Sequence, residues 1–103
     1  MKTYEINITD IAELDILEAA RYLTQELYTI ESALRLVDEI ENTISKLAYM
    51  PHYAFVIDER LRNLGYRKVN VRNYIVFFCI DEEHNVVNIE RVLHGRQNWL
   101  KIL

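Results

Sequence analysis

The chain has 103 residues, two glycines, one proline and one cysteine, half of its residues apolar and a formal net charge of −4. That is enough for one hydrophobic core and too little for two, and it is too apolar for a disordered chain. The acidic balance excludes an indiscriminate nucleic-acid binder, and the longest apolar run, Tyr74 to Ile80, is too short to cross a bilayer as a helix.

In chain order, residues 3–8, TYEINI, alternate as a half-buried strand with Tyr4, Ile6 and Ile8 on one face. The opening ten residues lack the apolar stretch of a secretion signal. Asp10, with Glu13 three positions on, is the expected N-terminal cap of a first helix. Its apolar stripe is Ala12, Ile16, Ala19, Leu23 and Leu27, spaced four, three, four and four. Residues 28–32 break the register, and Thr29 or Ser32 caps a second helix with the stripe Ala33, Val37, Ile40, Ile44 and Leu47. Glu31, Asp38, Glu39 and Glu41 lie on or near its wet side, and Pro51 closes it. Two helices of similar length joined so tightly pack as an antiparallel hairpin.

Residues 54–64 carry no clear period and read as a loop with a short strand at most. Beyond Gly65 the pattern is extended: residues 65–71, a turn at Arg72-Asn73, residues 74–81, a turn at residues 82–85, then residues 86–94. The middle strand, YIVFFCID, is apolar on both faces, which places it at the centre of an antiparallel meander covered by the hairpin. The expected fold is α+β, in the order β-α-α-β-β-β, as a single domain over residues 1–103 with a short C-terminal helix or tail.

Charge is divided along the chain. Residues 1–50 carry four Lys/Arg against ten Asp/Glu, and residues 51–103 carry eight against six. Residues 60–80 and 91–103 contain basic residues and no acid. The meander brings its two outer strands to either side of the central one, so their cations are expected to converge. By alternation Arg67 shares a face with Val69 and Val71, and Lys68 takes the other. Arg91 goes with Val87, Ile89 and Leu93, and His94 with Val92 and Glu90. Lys, Arg and His on an open sheet face suit cleavage of RNA by its own 2′-hydroxyl, which needs proton transfer and cations around a charged phosphorane, and no metal or cofactor. The plainer alternative is a hydrogen-bonded structural histidine at a strand end. His52, His84 and His94 lack the spacing of metal ligands, and Cys79 sits inside the apolar run, where an inert thiol is usual. With one cysteine there is no intramolecular disulfide, which suits a reducing, cytoplasmic setting.

The segments AELDILEAARYL, SKLAYMP, GYRKVNVRNYIVFFCID and RVLHGRQNW, in this order, resemble the RelE/ParE toxins of type II toxin–antitoxin systems, of the plasmid stabilisation type. The resemblance covers nearly the whole chain and implies two helices on an antiparallel sheet. It also implies a small cytoplasmic, growth-inhibiting protein bound and silenced by a cognate antitoxin. RelE-like members cut mRNA on the ribosome, and ParE-like members poison DNA gyrase. The resemblance matches Lys68, His94 and Arg96 to positions of the ribonuclease branch, and with Arg91 from the strand-face reading they make the catalytic set if the chain is a ribonuclease; the residues assigned to partner binding are Arg67, Arg72, Arg91 and Trp99. Where the ribonuclease branch commonly has an arginine after the aromatic that opens the central strand, this chain has Ile75 after Tyr74. The tyrosine that often completes that site has no counterpart in the apolar tail. The ending HGRQNW is closer to the ParE-like branch, so gyrase is the expected target. The ribosome with mRNA is the alternative, and a non-toxic relative that keeps only antitoxin binding is the third. A homodimer is a further candidate, and no membrane partner is expected.

Overall fold

In a computed structural model the described residues are 2–26, 29–53 and 58–103. They form β1 (Glu5–Ile8), α1 (Asp10–Glu26), α2 (Ile30–Lys46), a 3-10 turn (Pro51–Tyr53), α3 (Glu59–Asn63), β2 (Tyr66–Val71), β3 (Tyr74–Asp81), β4 (Val86–His94) and α4 (Trp99–Ile102). The sheet order is β1-β4-β3-β2. β2, β3 and β4 form the expected antiparallel meander, and β1 adds to it in parallel beside β4, with Glu5 opposite Val86 and Ile8 opposite Ile89.

Why α1 starts where it does differs from the sequence expectation. The cap is Thr9, whose Oγ1 accepts from the Ala12 N–H at 3.1 Å, and Asp10 is already helical. A hydroxyl one residue earlier reaches the free N–H groups of the first turn just as well. Thr29 caps α2 by accepting from the Ser32 N–H. The buried stripe of α2 is Ala33, Leu36, Ile40, Ile44 and Leu47, so Leu36 takes the place expected of Val37, which is only half-buried. Of the α1 stripe, Ala12 and Ala19 are buried and Ile16 and Leu23 pack at the margin of the core; Leu27 lies outside the described residues, as do residue 28 and residues 54–57.

Part of the stretch read as loop is a helix. Asp58 accepts from the Leu61 N–H at 2.9 Å and so caps α3, which buries Leu61 completely. Five residues are too few for a period to stand out. Gly65, at φ +92°, then turns the chain into β2, a conformation that costs a side-chain-bearing residue roughly 1 kcal/mol or more.

The hairpin α1–α2 covers one face of the sheet. Its side of the core includes Val71, Val76, Phe78, Val87, Ile89 and Val92 from the sheet and Leu36, Ile40, Ile44 and Leu47 from α2 and its end. The other face carries Phe77 and Leu93, both fully buried, with the Trp99 ring 5.5 Å from that of Phe77. The Arg60 guanidinium donates to the Leu100 carbonyl and ties α3 to α4. The central strand is apolar on both faces because both are covered.

One irregularity shifts every side chain at the end of β4. Phe78 pairs with Ile89 and Phe77 with Arg91, leaving Glu90 as an extra residue. This bulge reverses the alternation. Val92, not Leu93, therefore joins Val87 and Ile89 on the helix side, and Arg91 leaves that side. The expected grouping of Arg91 with Val87 and Ile89, and of Val92 with Glu90 opposite them, is corrected accordingly.

Candidate functional site

β1 ends at Ile8, but β4 runs five residues beyond Ile89. The edge exposed there has backbone groups that need partners. Thr9 takes over first: its N–H donates to the Ile89 carbonyl and its hydroxyl to the Glu90 carbonyl. Asp15 follows from the second turn of α1. Its carboxylate accepts from the Val92 N–H at 2.9 Å and from the Arg91 guanidinium at 2.8 and 2.9 Å. Gln97 closes the series by accepting from the His94 N–H at 2.8 Å. Side chains thus occupy an edge on which another strand would otherwise pair.

Arg91 is consequently committed. Its side chain is 25% exposed and that of Asp15 13%, so the two-pronged pair is shielded from water, and the Asp15 carboxylate holds the guanidinium even more firmly protonated than usual. Asp15 itself went unnoticed in the sequence reading. The available signal was an acid at the spacing of the buried stripe, between Ala12 and Ala19.

The segment after β4 is knitted to the β2–β3 turn. The Gly95 N–H donates to the Asn73 carbonyl at 2.7 Å. His94 Nδ1 accepts from the Arg96 N–H at 3.0 Å, which puts the ring proton of neutral His94 on Nε2. Its ring meets that of Tyr74 edge-on at 5.1 Å. Burial pushes the Tyr74 hydroxyl above its ordinary value.

Two clefts meet at Tyr74, His94 and Arg96. One, of about 350 Å³, is lined by Lys68, Asn70, Arg72 and Asn73 from β2 and its turn, by Tyr74 and Ile75, and by residues 94–96. The other, of about 480 Å³, lies between α1 and the end of β4 and is lined by Asp15, Glu18, Ala19, Tyr22, Tyr74, Val92, His94, Arg96 and Gln97. The structure therefore gathers Lys68, His94 and Arg96 around one groove. Arg91 is not among its lining residues. Arg72 stands at its rim, at φ +54°, with its guanidinium held by Glu39 of α2 at 2.6 and 2.8 Å. Arg67 points the other way: it pairs with Phe78, whose side chain faces the helices, and donates to the His52 carbonyl. The cations of β2 and β4 do not form the single patch expected from the sequence. Trp99 is half-buried against Phe77, so α4 serves as a lid over the far face of the sheet.

The sequence profile of the ParE toxin of type II toxin–antitoxin systems, parDE, matches residues 6–99. This chain belongs to the ParE toxin family. Solved structures with the same fold include the chromosomal ParDE system of P. aeruginosa, with a TM-score of 0.75 at 18% identity over 91% of this chain and 98% of that one. The RelBE2 toxin–antitoxin complex of Mycobacterium tuberculosis follows, at 0.65 and 20% over 89% and 98%. A mutant of E. coli RelE in the free state gives 0.63 and 12% over 97% and 92%. No curated protein matches at the sequence level. Among the toxin's described residues, no helix is long and apolar enough to cross a membrane.

Away from both clefts, Glu82 in the β3–β4 turn of the toxin accepts from Lys2 at 3.3 Å and from the Tyr4 hydroxyl at 3.0 Å, and it pairs with His52 Nε2. His52 first, then Tyr4 and Lys2, hold its carboxyl below the usual 4.5. A carboxylate lowered on folding stabilises the fold above its ordinary value, and that contribution is lost as pH falls through the folded value. Melting temperature should therefore fall on acidification below pH 4.5 more steeply for the wild type than for Glu82→Gln, followed by circular dichroism. Parallel acid limbs would show that the cluster does not bind its proton differently in the two states.

Proposed function

We propose that this ParE toxin arrests growth by binding a protein, DNA gyrase, and does not cut RNA. One observation carries the reading: the groups best suited to ribonuclease chemistry are engaged in holding the fold. Asp15 binds the Arg91 guanidinium through two hydrogen bonds, and His94 Nδ1 accepts a backbone N–H. Proton transfer at a scissile phosphate needs both a base and an acid near it. In the groove His94 keeps Nε2 clear of that bond, and it is joined by the Tyr74 hydroxyl, which burial pushes above its ordinary value, and by the side chains of Lys68 and Arg96. The ParE-type family assignment supports the same direction, and a cognate antitoxin is the partner that would silence the toxin.

Titrating purified toxin into a gyrase supercoiling reaction tests this. Loss of supercoiled product in proportion to toxin is the expected result, and unchanged supercoiling at large molar excess, with growth arrest persisting in cells, defeats it. The convergence of Lys68, His94 and Arg96 on one groove favours a second reading, an mRNA endonuclease acting on the ribosome. Toeprinting on programmed ribosomes decides between them: A-site cuts that disappear when His94 and Arg96 are both replaced would establish the nuclease.

A further inference from the structure

A third cleft, of about 440 Å³, shares no residue with the two that meet at Tyr74. It opens between the α1–α2 hairpin and β1, the edge strand of the sheet. Ile6 and Ile8 of β1, Ile16 of α1 and Ile44 of α2 make its apolar lining, and Glu13 and Glu41 add one carboxylate from each helix. Both acids are exposed, and neither has an ion pair among the described residues. An apolar hollow with two unmatched negative charges suits an occupant that is apolar and basic.

The chain carries such a surface itself. α3 packs beside β2, the opposite edge strand, and the Arg60 hydrogen bond to the Leu100 carbonyl ties α4 to it. These two short helices expose Leu64, Leu100 and Ile102, and with them Arg62 and Lys101, which also lack ion pairs among the described residues. Arg60, Arg62 and Lys101 stand there against one acid, Glu59, so the balance is positive. Groove and patch lie at opposite edges of one four-stranded sheet, so they can meet only between copies.

We propose that the toxin associates with a second copy of itself head to tail, with Leu100 and Ile102 of one copy seated among the isoleucines of the next and Arg62 and Lys101 set against Glu13 and Glu41. The two surfaces differ, so the contact is heterologous: a pair leaves one groove and one patch unused, and assembly continues or closes as a ring. The contact is small and rich in charge, which makes it weak and salt-sensitive. It holds whether the target is gyrase or mRNA.

The test is sedimentation velocity on the purified toxin over a wide range of concentration, with two charge-reversed variants. One is Glu13→Lys with Glu41→Lys, and the other Arg62→Glu with Lys101→Glu. All four residues are exposed, and melting temperatures equal to that of the wild type would show that both variants fold. The mass of the wild type should rise with concentration and fall back in high salt, and each variant alone should associate about tenfold more weakly or less still, since like charges then face each other. An equimolar mixture of the two should regain association, because the basic groove of one variant meets the acidic patch of the other and their unaltered surfaces also match. Wild-type association in either variant alone, or a mixture that stays monomeric, overturns the head-to-tail contact. A wild type that is monomeric throughout overturns it as well, and new amide protection at residues 41–45 only on adding the antitoxin encoded beside it would then give the groove to that partner.

Discussion

Asp15→Ala should lower the unfolding free energy by about 3 kcal/mol, read from urea denaturation with an unchanged slope. The carboxylate accepts three hydrogen bonds at 2.8–2.9 Å, two from Arg91 and one from the Val92 N–H, and its side chain is only 13% exposed. Removing it strands a guanidinium and a backbone amide together at a strand edge that neither β1 nor water fully covers. Breaking a fully buried pair from one side costs about 3–5 kcal/mol. The 25% exposure of Arg91 argues for the lower end of that range, because water can solvate the abandoned cation. Asp15→Asn keeps an oxygen for Val92 and loses only the charge, so about half that cost is expected. The double variant Asp15→Ala, Arg91→Leu should recover part of the loss, since no unpaired cation remains. A coupling between the two positions below about 0.5 kcal/mol would mean the pair behaves as an ordinary surface bridge, with no part in closing the β4 edge.

That pair also explains where sequence reasoning stopped. Long-period features were legible: the two helices, the three-strand meander and its central strand all follow from spacing that any one residue can violate without erasing. The bulge at Glu90 was not. It changes the phase of β4 by one residue, and nothing in VVNIERVLH distinguishes a regular strand from a bulged one, because Val87, Ile89, Val92 and Leu93 supply apolar residues at both phases. The face assigned to Arg91 depended on that phase. Lys68, His94 and Arg96 come together because β3 pairs with β2 on one side and β4 on the other, which brings the end of β2, the start of β3 and the end of β4 to one end of the sheet, and that depends on topology alone. Arg67 and Arg91 required side-chain direction, and their partners lie far off in sequence: the His52 carbonyl and Asp15. The parallel pairing of β1 with β4 was equally invisible, since a four-residue strand with one apolar face fits either orientation. Within the candidate site, Tyr22 and Gln97 were missed for the same reason, as each matters only once α1 is known to cross the end of β4.

Phe77→Ala is expected to destabilise the fold by about 4 kcal/mol, among the larger losses available to one substitution here. Phe77 is fully buried on the sheet face opposite the helical hairpin, and its ring lies 5.5 Å from that of Trp99 at an interplanar angle of 41°. The side covering this ring is thin: α3 has five residues and α4 four, joined by the hydrogen bond from Arg60 to the Leu100 carbonyl. Such short helices cannot collapse far into a cavity without giving up their own contacts, so the void left by the ring should stay largely open. Trp99 is the only tryptophan in the chain, and its emission therefore reports on this contact directly. A red shift in Phe77→Ala at a temperature where far-ultraviolet circular dichroism is still native would show α4 leaving the sheet ahead of global unfolding. The functional consequence follows from position. Residues 94–98 connect β4 to α4 and carry His94, Arg96 and Gln97, which line the two clefts. They are anchored at one end by the Gly95 hydrogen bond to Asn73 and at the other by Trp99. Trp99→Ala, which deletes only the half-exposed partner, should cost less stability, about 1–2 kcal/mol, yet release the same connection. It should accelerate amide exchange over residues 95–103 while the core of the sheet keeps its protection. If exchange there matches the wild type, the hydrogen bonds to Asn73 and His94 position Arg96 without Trp99, and α4 is a cover with no part in shaping the clefts.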